Sequence, residues 1–366
     1  MTKQPFDLPK LPPKIDYQKL ISHMTKAHAS LARLDALLYQ LKNPKLLSRT
    51  LATKEAVLSS QIEGTQATLS EVFEHEAVGG EKEESSKEKD FREIINYRHA
   101  LEMGVEILKD RPLTENVIKK LHTKLLSSAR GNHKAPGEFR RHQVFIGKQG
   151  LGIDHASYVP PGPTNIPELF SNFEKYINSD NEKDKLVQIA VAHYQFEAIH
   201  PFMDGNGRIG RLIISLMLYE KELLTYPFIY LSEFFEEHRQ DYYDLLRGVS
   251  ESGDWESWII FFLNGLDIQA TKAQETVKKM LDLYREINAQ AINFNSKYSH
   301  EFLEAMFINP FFTSSTISQE VPIKSPKTIF DLITKFLRFG IIKDVTPNKR
   351  RNKIYRFDAL ADILKR

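Results

Sequence analysis

The apolar positions of this 366-residue chain fall mostly at helical spacing, but two stretches are apolar on almost every side. Leu186 to Ile199 is interrupted only by Gln188, His193, Gln195 and Glu197, and Leu212 to Tyr219 only by Ser215. A helix that is apolar all round is a buried helix. These stretches predict a central helix pair, with Pro201 ending the first and Pro227 closing the second. Amphipathic spacing predicts further helices over 16–41 (stopped by Pro44), 50–73, 93–108, 115–127, 231–249 and 255–285, the last burying both tryptophans. Another runs to Ile177, capped by Thr164 or Asn165, with Pro167 in its first turn.

The remaining segments follow other patterns. Residues 1–15 are extended and Pro-rich. Residues 74–90 carry seven acids and three lysines, with Gly79-Gly80 and Ser85-Ser86, a composition that reads as a surface loop without chemistry. Between Val144 and Val159 a tip containing Gly147, Gly150 and Gly152 predicts a β-hairpin. Toward the end, helices over 299–307, 316–321 and 326–339, the last capped by Gly340, precede strands over 341–345 and 353–357. Three helices and a hairpin of this kind predict a winged helix-turn-helix. From Lys324 to Arg366 twelve Lys/Arg face four Asp, a local charge of +8 within a whole-chain net of +2, so the remainder carries −6. Such modules bind DNA or protein, and both readings stay open.

Composition narrows the chemistry. The absence of cysteine excludes disulfides, thiolate catalysis and thiolate zinc sites. No apolar run approaches the length of a membrane span, and Met1-Thr2-Lys3-Gln4-Pro5 opens no signal peptide, so a cytoplasmic protein without a membrane partner is expected.

The candidate chemistry lies between the two central helices: His200-Pro201-Phe202-Met203-Asp204-Gly205-Asn206-Gly207-Arg208-Ile209-Gly210-Arg211. Gly205 and Gly207 permit positive φ, so backbone N–H groups can converge on an anion, aided by the positive end of the following helix. Arg208 and Arg211, three apart, share a helix face, and guanidinium forks match phosphate oxygens. Asp204 suits Mg²⁺, though it could equally pair with Arg208. His200 suits a general base. A metal hydrolase on His193 and His200 is a weaker reading, because no further ligand cluster completes it.

The run His-Pro-Phe-x-Asp-Gly-Asn-Gly-Arg-x-x-Arg resembles the signature of the Fic family, which transfers AMP from ATP to Ser, Thr or Tyr hydroxyls of proteins. The resemblance implies a mainly α fold: a Fic helical core with a β-hairpin flap, plus the C-terminal winged helix domain. The expected divisions are 1–92, 93–289 and 290–366. It implies His200 as the base, Asp204 as the Mg²⁺ ligand, and Gly205, Asn206, Gly207, Arg208, Ile209, Gly210 and Arg211 around the nucleotide, with Phe202 anchoring the turn. Tyr242 would line the adenine pocket, although Ser250 stands where many relatives have asparagine. Val144, Phe145, Ile146 and Gly147 would form the flap that holds the target backbone by strand addition. Ser59-Ser60-Gln61-Ile62-Glu63-Gly64 alone reads as a helix end with Gly64 as cap. Beside the signature it resembles the family's inhibitory motif, in which Glu63 would pair with Arg211 and block productive ATP binding. Expected partners are ATP with Mg²⁺, a protein hydroxyl, the chain itself as a target, a homodimer, and DNA or protein at the C-terminal domain. Two rivals are a Fic transferase of another phosphate-containing group and a DNA-binding regulator with a nucleotide-sensing core.

Overall fold

The computed structural model describes residues 4–39, 45–79, 85–127, 134–147, 150 and 152–365, with the side chains of Lys45 and Leu46 left out. The expected helix end at Leu41, the stop at Pro44, residues 80–84, and tip residues 148, 149 and 151 of the flap lie outside the described residues.

After a short 3₁₀ turn at Tyr17–Lys19, α1 (Ile21–Tyr39) leads to α2 (Lys45–Ile62) and α3 (Leu69–Val78). The expected single helix over 50–73 is therefore two. Gly64, at φ +95°, turns the chain out of α2, and Thr68 restarts it with a capping box to Glu71. The described part of the expected loop over 74–90 is largely helical: α3 continues to Val78 and α4 (Ser86–Leu108) starts on a Ser85 cap. Its acids find partners that composition conceals. Glu76 holds Arg98 and Arg49, and Glu88 meets His75, both of that pair buried.

α5 (Glu115–Leu126) follows. The flap is less regular than expected, with one isolated antiparallel bridge between Ile146 and Tyr158 among the described residues. α6 (Ile166–Ile177) grows out of a 3₁₀ turn at Pro163–Asn165, and no Asn165 side-chain cap forms. α7 (Lys185–Ile199) is capped by Asp184, whose carboxylate accepts from the Leu186 and Val187 N–H groups. α8 (Asn206–Glu220) ends seven residues before Pro227 in a turn with Glu222 at φ +58°. The two helices lie against one another, with α4, α6 and α11 around them. The expected helix over 231–249 breaks at His238 into α9 (Leu231–Glu237) and α10 (Arg239–Ser252). α11 (Trp255–Ala291) buries Trp255 and Trp258 and runs the length of α1.

The last part comprises α12 (Ser299–Ile308), β1 (Phe311–Phe312), α13 (Ser314–Glu320), α14 (Pro326–Arg338), β2 (Lys343–Asp344), β3 (Tyr355–Arg356) and α15 (Asp358–Lys365). The sheet is antiparallel in the order β1-β3-β2; β1 and α15 were not read from the sequence. This part shares one continuous apolar core with the rest, because α12 packs on α2 and Phe311 lies parallel to Phe73 of α3. None of the described helices is long and apolar enough to cross a membrane.

Candidate active site

The turn between α7 and α8 is held from three sides. His200 ends α7 in the left-handed region, at φ +49° and ψ +60°, and Gly205 sits at φ +76° just before α8. The Asn206 side chain braces the turn: its Oδ1 accepts from the Phe202 N–H (2.8 Å) and its Nδ2 donates to the Phe202 carbonyl (2.9 Å). Of the expected nucleotide contacts, Asn206 is thereby left only its backbone N–H. The first intrahelical bond runs from Ile209 N–H to the Gly205 carbonyl, so the N–H groups of Asn206, Gly207 and Arg208 have no intrahelical partner and can meet an anion. Phe202 is fully buried, as an anchor should be.

Two residues that sequence reasoning missed secure the turn. Arg140 donates from its backbone N–H to Pro201 (2.9 Å), from Nε to the His200 carbonyl (2.8 Å) and from Nη2 to the Pro161 carbonyl. His122 lies flat on Phe202 with ring centroids 3.8 Å apart. Its Nδ1 accepts from Gly137 N–H and its Nε2 donates to the Asp204 carbonyl, which fixes a neutral tautomer; burial pushes its pKa down to about 4. No local motif marks either residue, because both act across long sequence separations.

His200 holds a partly buried, neutral imidazole. Burial, then the Arg140 guanidinium, push its pKa down to about 4, against smaller opposing effects from the Glu197 carbonyl, Glu63 and Asp204. Its Nδ1 has no hydrogen-bond partner among the described residues. The Asp204 carboxylate stands half-exposed at the mouth, accepting from Gly205 N–H (2.6 Å) and facing Arg208 (3.3 Å). Arg208 is buried and also donates to Glu93 of α4 at 3.2 Å.

Arg211, on α8, is held by the end of α2 and the residue after it. Its Nε donates to Ser59 Oγ (2.9 Å), and its Nη2 donates to the Ser59 carbonyl (2.8 Å) and Glu63 Oε1 (2.7 Å). Burial alone would raise the Glu63 carboxyl, but the Arg211 guanidinium holds it below its usual range. The carboxylate lies over Gly207, where an added Cβ would fall 2.4 Å from Glu63 Oε1. Glu63 stands beside Arg211, where the resemblance puts it, and Ser59 adds two acceptors that were not expected.

Beside the turn opens a cleft of about 1010 Å³ between the flap residues Ile146 and Gly147 and α10. Here the structure corrects two expectations. Tyr242 does not line the cleft; it is buried, and its hydroxyl donates to His193 Nε2 (2.9 Å). Of the two adjacent tyrosines of α10, the one on the cleft is Tyr243, because one residue along a helix turns the side chain by about 100°. Ile209 is likewise fully buried in the core. Ser250 lines the cleft and shares a hydrogen bond with Tyr194 (2.9 Å). His193 donates from Nδ1 to the Gly210 carbonyl, and burial pushes its pKa down to about 3. It is a core histidine and no metal ligand, which removes the hydrolase reading. Among the described residues no group of three His, Asp or Glu could enclose a metal. On the flap, Ile146 pairs with Tyr158 in both directions, while Phe145 and Ile146 expose their side chains.

Comparison with known proteins agrees with this geometry. Residues 21–106 match the model described as Fic/DOC family N-terminal, and residues 112–218 match that described as Fic/DOC family. The chain is 30% identical over 187 residues to the protein adenylyltransferase Fic of Drosophila ananassae, covering 50% of this chain and 31% of the relative. It is 33% identical over 150 residues to that of Aedes aegypti, covering 40% and 25%. It thus spans a third or less of the curated relatives it matches. Among solved structures, a Fic family protein from Desulfovibrio desulfuricans superposes with a TM-score of 0.59 at 22% identity, over 94% of this chain and 98% of the other. A Fic domain-containing signaling protein from Bacteroides thetaiotaomicron gives 0.56 at 22% identity, over 69% and 96%.

Proposed function

The chain belongs to the Fic/DOC family, and from that premise we propose that it is a protein adenylyltransferase held in check by Glu63. A target Ser, Thr or Tyr oxygen attacks the α-phosphorus of ATP, the bond from that phosphorus to the bridging oxygen breaks, and pyrophosphate leaves. His200, neutral above about pH 4, takes the hydroxyl proton. The unpaired N–H groups of Asn206, Gly207 and Arg208 receive phosphate oxygens, and the guanidinium of Arg211, once free of α2, receives the far end of the chain. Catalysis of this kind is positioning and electrostatics. Asp204 would hold Mg²⁺: a single half-exposed carboxylate beside phosphate-binding amides fits an ion that takes most of its other ligands from phosphate and water. When bound there, the ion would neutralise charge on the phosphate chain.

The observation that carries the inhibited part of the reading is the occupation of Arg211. Two of its nitrogens are spent on Ser59 and Glu63, and the Glu63 carboxylate stands over Gly207, where an incoming phosphate would meet it. The test is incubation of the wild type and Glu63→Gly with ATP labelled at the α-position in a cell lysate. Label should enter protein, and more of it with the variant. Mass analysis of the product separates AMP from phosphate, UMP or phosphocholine.

For the C-terminal part, we read the order α12-β1-α13-α14-β2-β3 as a winged helix with a protein partner. The solvent face of α14 carries Phe330, 52% exposed, beside Asp331, a ring and a carboxylate that suit a protein surface better than phosphates. Filter binding with genomic DNA, with and without ATP, tests the rival: strong, salt-sensitive retention would favour DNA.

A further inference from the structure

Glu197 is the residue the mechanism leaves unexplained. It interrupts the apolar helix α7 one turn before His200, and it is the one carboxylate among the described residues that line the cleft. Its Oε1 is buried and has no hydrogen-bond partner among the described residues. The carboxyl is pressed against α8 at Gly210, where an added Cβ would lie 2.2 Å from Oε1 and 3.1 Å from the carboxyl carbon. A side chain at 210 would push the carboxyl out of this position. Arg211 is close enough to act on its charge, yet the donors of Arg211 described above go to Ser59 and Glu63. An ion pair therefore does not account for Glu197. A buried acceptor left without a donor is costly, and such a group becomes favourable when a ligand supplies the donor.

The position within the cleft selects the donor. Beyond one end of the cleft, past Ala198 of α7, comes the turn into α8 whose N–H groups can meet phosphate, and the other end is walled by Tyr243, Leu246 and Ser250 of α10. Glu197 lies between them, against the second turn of α8. A nucleotide that sets its phosphates at the first end and its base at the second passes its sugar over Glu197. A carboxylate repels phosphate, whereas it accepts well from a ribose hydroxyl. We propose that Glu197 is a specificity-determining residue that accepts a hydrogen bond from a ribose hydroxyl of the bound nucleotide, so that the cleft selects ribonucleotides over deoxyribonucleotides. The inference rests on the nucleotide-transfer reading above. Burial pushes this carboxyl up to about 7, with Arg211 drawing it down and Glu63 raising it further, and a donating hydroxyl would favour its charged form.

The test is calorimetric binding of Mg²⁺-ATP, 2′-deoxy-ATP, 3′-deoxy-ATP and GTP to the full chain carrying Glu63→Gly. At least one deoxy analogue should bind roughly ten- to a hundredfold more weakly than ATP, the range of a hydrogen bond to a charged group. Adding Glu197→Ala should lower ATP to the level of that analogue and leave the analogue unchanged. Glu197→Gln, whose amide oxygen still accepts, should retain part of the preference, and matched melting temperatures exclude a folding effect. Three results would overturn the proposal: discrimination surviving in Glu197→Ala, equal loss of ATP and deoxy-ATP, or a changed preference between ATP and GTP alone, which would assign Glu197 to the base. Binding without AMP transfer would sink the adenylyltransferase reading and leave this one standing. Absence of any nucleotide binding would sink both.

Discussion

Two arginines three residues apart on α8 have opposite surroundings. Arg208 pairs with Glu93 from the middle of α4, with side-chain exposures of 6% and 8%. Arg211 pairs with Glu63 just past the end of α2, with exposures of 3% and 39%. The first pair is enclosed, and opening it would cost the buried Arg208 one of its carboxylate partners. The second has one partner half in water, on a chain end that Gly64 lets turn away. Under the proposed function, similar ion pairs would divide the work: one would fix where α8 starts, and the other would release its guanidinium.

The strongest way to sharpen that contrast is to remove the chemistry that the release uncovers. In a Glu63→Gly background, His200→Ala should lower AMP transfer by roughly 10²–10⁴-fold while ATP affinity stays within about twofold. If more than about a tenth of the activity survives in the radiolabel assay, His200 is not the base. Next comes the enclosed pair. Glu93→Ala should destabilise the fold by about 3 kcal/mol, the low end of the range for breaking a buried pair, because Asp204 still faces Arg208. Glu63→Gly should shift denaturant midpoints far less, as a half-exposed pair does. Equal costs would erase the distinction between the two sites.

A smaller effect is expected on rate from opening the second pair. Hydrogen bonds to charged groups contribute about 1.5–3 kcal/mol, so Glu63→Gly should raise self-modification about tenfold or more at saturating Mg²⁺-ATP. Glu63→Asp should raise it less. Unchanged activity in Glu63→Gly would return residues 59–64 to an ordinary helix end.

The smallest effect is in pH. His200 must be neutral to accept a proton, and burial holds its pKa near about 4, so kcat/KM of Glu63→Gly should be flat from pH 8 to about 5 and fall only near 4. The Glu63 carboxyl also lies below its usual range, so its grip on Arg211 persists above that range and weakens only as acid protonates it. In the wild type, relief of inhibition and loss of the base therefore fall in the same acid window, and no activity maximum should appear there. A limb near pH 6.5 in the rate profile would show a solvated His200 instead.

Much of this site was legible because its chemistry is contiguous. Twelve consecutive residues carry the turn, and helical spacing alone puts Arg208 and Arg211 together. The contact of Glu63 with Arg211 came from resemblance; nothing in the spacing within α2 names a partner 148 residues away. Arg140 and His122 were missed for the same reason: their partners are carbonyls, and carbonyls have no sequence signature. Tyr242 and Tyr243 could not be told apart because α10 begins at Arg239, after a break at His238 that resets the face each residue presents. The acids of 74–90 misled because composition counts charges without seeing Arg98 or His75 opposite them. Glu197 did leave a signal, a carboxylate on a helix otherwise made for burial.

The backbone of His200 carries a consequence of its own. A non-glycine residue held at φ +49° costs on the order of 1 kcal/mol or more relative to an unstrained one. Glycine at 200 would relieve that strain, so His200→Gly should melt higher than His200→Ala even though neither can accept a proton. At this position durability and activity ask for different residues.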